Sequence, residues 1–182
     1  VAREAGGLQL VFAGKAHPRD ESGQALIRDV VEHGARLAPD VRVVWLADYD
    51  LRLAQLITAG VDVWLNTPRP PEEASGTSGM KAAHNGVPSL SIRDGWWWEG
   101  HLEGVTGWAI GMQRRDGGPA REDVDDAEAM YALLEQRVLP AWRDAGAWSD
   151  IMRATIAINA SFFNTQRVLH EYVVRAYHNG ED

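Results

Sequence analysis

Short apolar runs alternate with helix-like stretches along the first half of the chain, and this alternation constrains the fold more than any other feature. Leu8-Gln-Leu-Val-Phe-Ala13 is apolar and stops at Gly14, which reads as a buried strand. From Glu21 to Leu37 the apolar residues Ala25, Leu26, Val30, Val31 and Leu37 roughly follow a helical period. Val41-Arg-Val-Val-Trp-Leu46 repeats the strand pattern, and Asp50 to Ala59 is a short helix with Leu53, Leu56 and Ile57 on one side. Val61 to Leu65 reads as a third strand, and Val87 to Ile92 as a fourth after another helical segment. Strand and helix in strict alternation predict an α/β domain, a Rossmann-like parallel sheet flanked by helices. After a loop at Asp116-Gly-Gly-Pro119 the chain reads as helical from Asp123, giving a helical carboxy-terminal third. Leu133, Leu134, Val138, Trp142, Ile151, Met152, Ile156, Ile158 and Val168 supply its core-facing positions. Neither an internal repeat nor a linker divides the 182 residues, a length that suits one domain, 1–182, with a sizeable core.

Composition excludes several classes of function. With no cysteine there is no disulfide framework and no thiol nucleophile or thiolate metal site. The histidines at 17, 33, 84, 101, 170 and 178 lack metal-ligand spacing; His17 is the one closest in sequence to a candidate site. A net charge of −8 argues against a nucleic-acid partner and against anionic membranes, both of which are bound by clustered Lys and Arg. No apolar run approaches the ~20 residues that span a bilayer, and no basic, apolar leader is present, so the cytoplasm is the expected compartment. Eight tryptophans is a high count. Trp96-Trp-Trp98 cannot all face one side of a strand, so at least one is expected exposed or at an interface. The chain opens on Val1 and reaches a strand by residue 8, as expected of a fragment of something longer.

The densest chemistry lies in Glu73-Ala-Ser-Gly-Thr-Ser-Gly-Met-Lys81. Before it, Thr67-Pro-Arg-Pro-Pro-Glu72 cannot continue a strand. After it, Met80-Lys-Ala-Ala-His84 runs to a helix stop at Asn85-Gly86. The segment is therefore strand, loop and helix N-terminus, whose free amides suit a phosphate, with Lys81 about one turn inside. A plain tight turn and a solvated lysine fit the same residues. It is not a Walker A loop, because Gly-Lys-Ser/Thr is absent. Gly14-Lys15, Asp48-Tyr49 and Glu73 to Lys81 all follow predicted strands, and ligands of parallel sheets bind beyond the carboxyl ends of strands.

These residues also carry a family resemblance. Glu73 to Lys81, followed by Asn85-Gly86, closely resembles the pyridoxal-phosphate lysine segment of the glycogen and α-glucan phosphorylases. Leu65-Asn-Thr-Pro68 upstream and Asp94-Gly-Trp-Trp97 downstream are most similar to the bacterial α-glucan phosphorylase branch. Phe12-Ala-Gly-Lys-Ala-His-Pro18, Val44-Trp-Leu-Ala-Asp-Tyr49 and the span from Trp148 to Tyr177, with Phe163 and Arg167, resemble further segments of that family in the same order. Animal-type enzymes carry Gly-Asn where this chain has Ser78-Gly79, which leaves the lysine register intact.

The resemblance implies the carboxy-terminal domain of a two-domain, GT-B-type glycosyltransferase that releases α-glucose 1-phosphate from α-1,4-glucan ends with orthophosphate. It implies pyridoxal 5′-phosphate on Lys81, with Gly76, Thr77, Ser78 and Gly79 around the cofactor phosphate and Tyr49 and Lys15 as further contacts. Glu73, joined by the backbone of Ser75 and Gly76, would bind the terminal glucose. It implies no metal. The family's cations for orthophosphate lie upstream of the Gly14-Lys15 turn, so the isolated chain is expected to be inactive, with weak cofactor binding, and to need an amino-terminal domain as partner. Two other readings compete: the carboxy-terminal domain of a nucleotide-sugar glucosyltransferase, which would not need Lys81, and a non-catalytic glucan-binding module built on the tryptophans. Oligomeric state, homo-oligomer or not, is left open.

Overall fold

The computed structural model describes residues 2–111 and 123–177; the expected Asp116–Pro119 loop and His178 lie outside them. The chain separates into two compact units, Val1–Leu56 and Ile57–Asp182.

The first unit holds α1 (Ala2–Ala5), β1 (Leu8–Ala13), α2 (Glu21–Leu37), β2 (Val41–Leu46) and the start of α3 (Leu51–Gly60). β1 and β2 pair in parallel, from Leu8 opposite Val41 to Ala13 opposite Leu46, because α2 carries the chain back between them. Asp20 caps α2 by accepting the Gly23 N–H at 2.9 Å. The helix meets the strand at Gly34, where a Cβ would stand 2.6 Å from Val43 Cβ. The stripe turned inward is therefore Gly23, Ile27, Val30 and Gly34, at helical spacing. Leu26, Val31 and Leu37, which roughly follow the helical period of the sequence, lie beside that stripe and are exposed.

In the second unit, β3 (Trp64–Asn66), β4 (Ser89–Ile92) and β5 (Gly107–Ile110) form a parallel sheet in the order β3-β4-β5. The parallel pairing expected from the alternation is present, in two sheets, and helices follow the strands in both units. β5 was not foreseen. The third and fourth strands are also shorter than their apolar runs. Trp64 pairs with Ser89, and Pro88, which lacks an N–H, precedes Ser89, so the ladder does not extend further back. All four residues of β4 are buried, as befits a central strand.

α4 (Thr77–His84) links β3 to β4, and α5 (Trp97–Gly100) links β4 to β5. From Asp123 the described chain is helical: α6 (Asp123–Leu133), α7 (Leu139–Arg143), α8 (Ala145–Ala154) and α9 (Thr165–Tyr172). π-helical turns at Leu134–Val138, Thr155–Ala160 and Val173–Tyr177 interrupt it. Leu90, Ile92, Trp108, Ile110, Val138 and Ile151 make one core, with Leu133, Leu134 and Trp148 packed on it. Trp108 and Trp148 stack at 6.2 Å. Trp142, Met152, Ile156, Ile158 and Val168 are exposed, correcting their assignment to the core. A π turn adds a residue to the helical repeat and rotates the face that follows it, so a simple 3.6-residue reading loses phase there.

The tryptophan triplet is not in a strand. It lies in a helical turn, where successive side chains are about 100° apart. Trp96 and Trp97 pack inward together, at 6% and 0% exposure, and Trp98 is half-buried. Trp96, Trp97 and Ala83 form a second core with Met80 and Phe163.

Candidate functional site

Adjacent parallel strands end on the same side of a sheet, so the segments leaving β3 and β4 emerge next to each other. The first is the loop that carries Glu73 and leads into α4. The second is the turn Arg93-Asp94-Gly95-Trp96. Asp94 is only 7% exposed, and both its carboxylate oxygens accept backbone amides. Oδ2 takes the Glu73 N–H at 2.9 Å and Oδ1 the Gly95 N–H at 3.0 Å. The Trp96 N–H then donates to the Ser75 carbonyl at 2.7 Å.

Gly76 caps α4 in the left-handed region, with φ of +87°. It offers no side chain to the helix, and among the described residues neither the Thr77 N–H nor the Ser78 N–H meets an acceptor. The Gly79 N–H donates to the Gly76 carbonyl at 3.1 Å. Beneath the terminus lies the Trp96 indole: a Cβ at Gly76 would stand 2.7 Å from its Cδ1, and one at Gly79 2.8 Å from its Nε1. Both glycines are required by that close approach. Lys81 is exposed one turn further on, next to buried Ala82 and Ala83. Free amides, hydroxyls at Thr77 and half-buried Ser78, a helix N-terminus and a nearby amine together suit a ligand with a phosphate at one end and an electrophilic carbonyl at the other. Pyridoxal phosphate has that shape, and the residues present fit it.

Of the other residues singled out in the sequence, Lys15 and Tyr49 belong to the first unit, just past β1 and β2. Lys15 is exposed and Tyr49 half-buried. His17 accepts the Arg19 N–H on Nδ1 at 3.1 Å and sits in the turn before α2. Sequence reasoning missed Asp94 and Trp96 as parts of the site, since nothing local marks a carboxylate that grips a loop 21 positions earlier. It also missed His101. That imidazole, 6% exposed, accepts from Arg93 on Nδ1 at 2.8 Å and donates from Nε2 to Glu103 at 2.9 Å. Burial pushes its pKa below 6.5; the bond to Glu103 opposes the shift, and the charge of Arg93 adds to it. No cluster of metal-ligating side chains occurs among the described residues, and no described helix is long and apolar enough to cross a membrane. Trp96 and Trp97 are buried and present no broad face to a sugar ring, and Trp98 is half-buried.

Fold and site together define an α/β protein with a phosphate-suited helix terminus and a lysine beside it at the carboxyl ends of a parallel sheet. Residues 4–99 match the carbohydrate phosphorylase family, and the chain belongs to that family. It is 43% identical over 169 residues to the maltodextrin phosphorylase of Thermococcus litoralis, covering 92% of this chain and 20% of that protein. It is 42% identical to the glycogen phosphorylase of Aquifex aeolicus, covering 93% and 25%, and 41% identical to that of Mycobacterium tuberculosis, covering 93% and 20%. The chain thus spans a fifth to a quarter of the length of these relatives.

Proposed function

We propose that this chain is the carboxy-terminal, pyridoxal-phosphate-binding domain of a cytoplasmic, two-domain α-1,4-glucan phosphorylase of GT-B type. The enzyme uses orthophosphate to release α-glucose 1-phosphate from non-reducing ends. The observation that carries this reading is the glycine-capped start of α4, with amides at Thr77 and Ser78 that meet no acceptor among the described residues, Lys81 a turn inside and Glu73 fixed just before it. The family membership and the names of its relatives support the substrate class.

Thr77 and Ser78 bind the cofactor phosphate through their amides and hydroxyls, at a terminus whose Gly76 and Gly79 let the Trp96 indole pack beneath it. The Lys81 amine holds the cofactor's aldehyde end. When bound, pyridoxal phosphate supplies a phosphate whose second pKa near ~6 suits proton exchange at neutral pH. Glu73 orients the terminal glucose through a hydroxyl, with the backbone of Ser75 and Gly76 beside it. The cations that hold orthophosphate come from an amino-terminal partner domain, so residues 1 to 182 alone form no glucose 1-phosphate. A reacting geometry displaced by ~1 Å already loses on the order of a hundredfold in rate.

The test is phosphorolysis of maltodextrin by the complete enzyme containing this chain. Lys81→Ala abolishes glucose 1-phosphate formation. Full activity in Lys81→Ala would contradict the role of Lys81; a parent enzyme with no cofactor absorbance and no phosphorolysis that transfers glucose from a nucleotide sugar would instead favour a nucleotide-sugar glucosyltransferase.

A further inference from the structure

We infer that Asp94 is a positioning residue for substrate recognition: it holds the Glu73 loop in register and acts through Glu73 without touching substrate itself. The inference rests on the reading of Glu73 as the glucose-binding carboxylate. Its physical basis is independent of that reading. A carboxylate that is 7% exposed carries a desolvation cost unless its oxygens are satisfied. Here Oδ1 takes the amide of its own neighbour Gly95, while Oδ2 reaches across to the Glu73 amide. Charge-assisted bonds of this kind are roughly twice as strong as neutral ones.

The grip is reinforced at the next two steps of the loop. Trp96 N–H holds the Ser75 carbonyl at 2.7 Å, and the Trp96 ring fills the space that side chains at Gly76 and Gly79 would need. Gly95, at φ of +50°, approaches so closely that a Cβ would lie 2.6 Å from the Ser75 carbonyl oxygen and 3.0 Å from Glu73 Cγ. Glu73 is thus fixed at its amide and crowded along its side chain, whereas its carboxylate takes no hydrogen bond from any described residue. That combination of rigid stem and unengaged head suits ligand binding more than stability.

The experiment is a double-mutant cycle of Asp94→Asn and Glu73→Gln in the complete enzyme, read as kcat and KM for maltodextrin phosphorolysis. Cofactor absorbance and melting temperature are recorded for each variant. Asn keeps the volume but sets an N–H2 against a backbone donor. Asp94→Asn should lower kcat/KM about ten- to a hundredfold, yet lower it less than about twofold further once Glu73 is Gln. Cofactor absorbance should stay that of the parent. Asp94→Glu, which keeps the charge and displaces the loop, should behave like Asp94→Asn. Equal losses in both Glu73 backgrounds, a loss that tracks cofactor release or unfolding, or parental activity in Asp94→Glu would overturn the inference. Failure of the underlying reading shows separately, as parental kcat/KM in Glu73→Gln alone.

Discussion

Replacing Gly76 by alanine would add a methyl 2.7 Å from Trp96 Cδ1 at a backbone φ of +87°, combining steric overlap with a conformation that side chains disfavour. A loss of about 1–3 kcal/mol is expected in urea unfolding of the 182-residue chain. Exposed Lys81→Ala should stay within about 0.5 kcal/mol of the parent. Equal stabilities for the two variants would mean that the indole does not fill the space beneath the terminus. At this scale the sequence is readable where the chemistry is contiguous. Glu73 to Lys81 showed the turn, the helix start and the lysine because each follows from its neighbours. Asp94 was invisible because its role depends on a pairing of β3 with β4 that no local pattern states. The orientation of the Trp96 ring depends on the same pairing.

At the scale of elements, α2 keeps the bounds the sequence predicts, Glu21 to Leu37, because Asp20 caps its start and Pro39 follows its end. β5 escaped notice because Gly107-Trp-Ala-Ile110 is four residues long, too short to show a period. α5 was hidden by its tryptophans, which suit a strand by propensity and fold as a helical turn because the second core rewards the burial of Trp96 and Trp97. Between α5 and β5, the Arg93–His101–Glu103 chain carries a pH signature. Arg93 donates to Nδ1, so the proton of neutral His101 sits on Nε2 and is given to Glu103. The folded pKa lies below the unfolded value of 6.5, so the unfolded chain binds the proton more readily. Stability from this site is therefore complete above pH 6.5 and is lost as pH falls from there toward the folded pKa. Urea midpoints measured between pH 8 and pH 5 should decline on the acid side, and His101→Gln should flatten that decline. An identical pH profile in His101→Gln would contradict the assignment.

For the whole molecule, alternation of strand and helix was enough to predict parallel pairing, since a helix that carries the chain back along a strand lets the next strand run in the same direction. It did not reveal that the strands divide into a two-stranded and a three-stranded sheet, because edge and centre are set by packing. The family was legible above all through one nonapeptide, whose residues the fold gathers after β3 at a helix terminus. The central claim is that Lys81 is the residue to which the cofactor is joined. It is tested most directly by reconstituting the complete enzyme with pyridoxal phosphate, reducing it with borohydride and mapping the modified peptide. The account predicts a single cofactor adduct on Lys81, absent from Lys81→Ala; an adduct at any other lysine would contradict it.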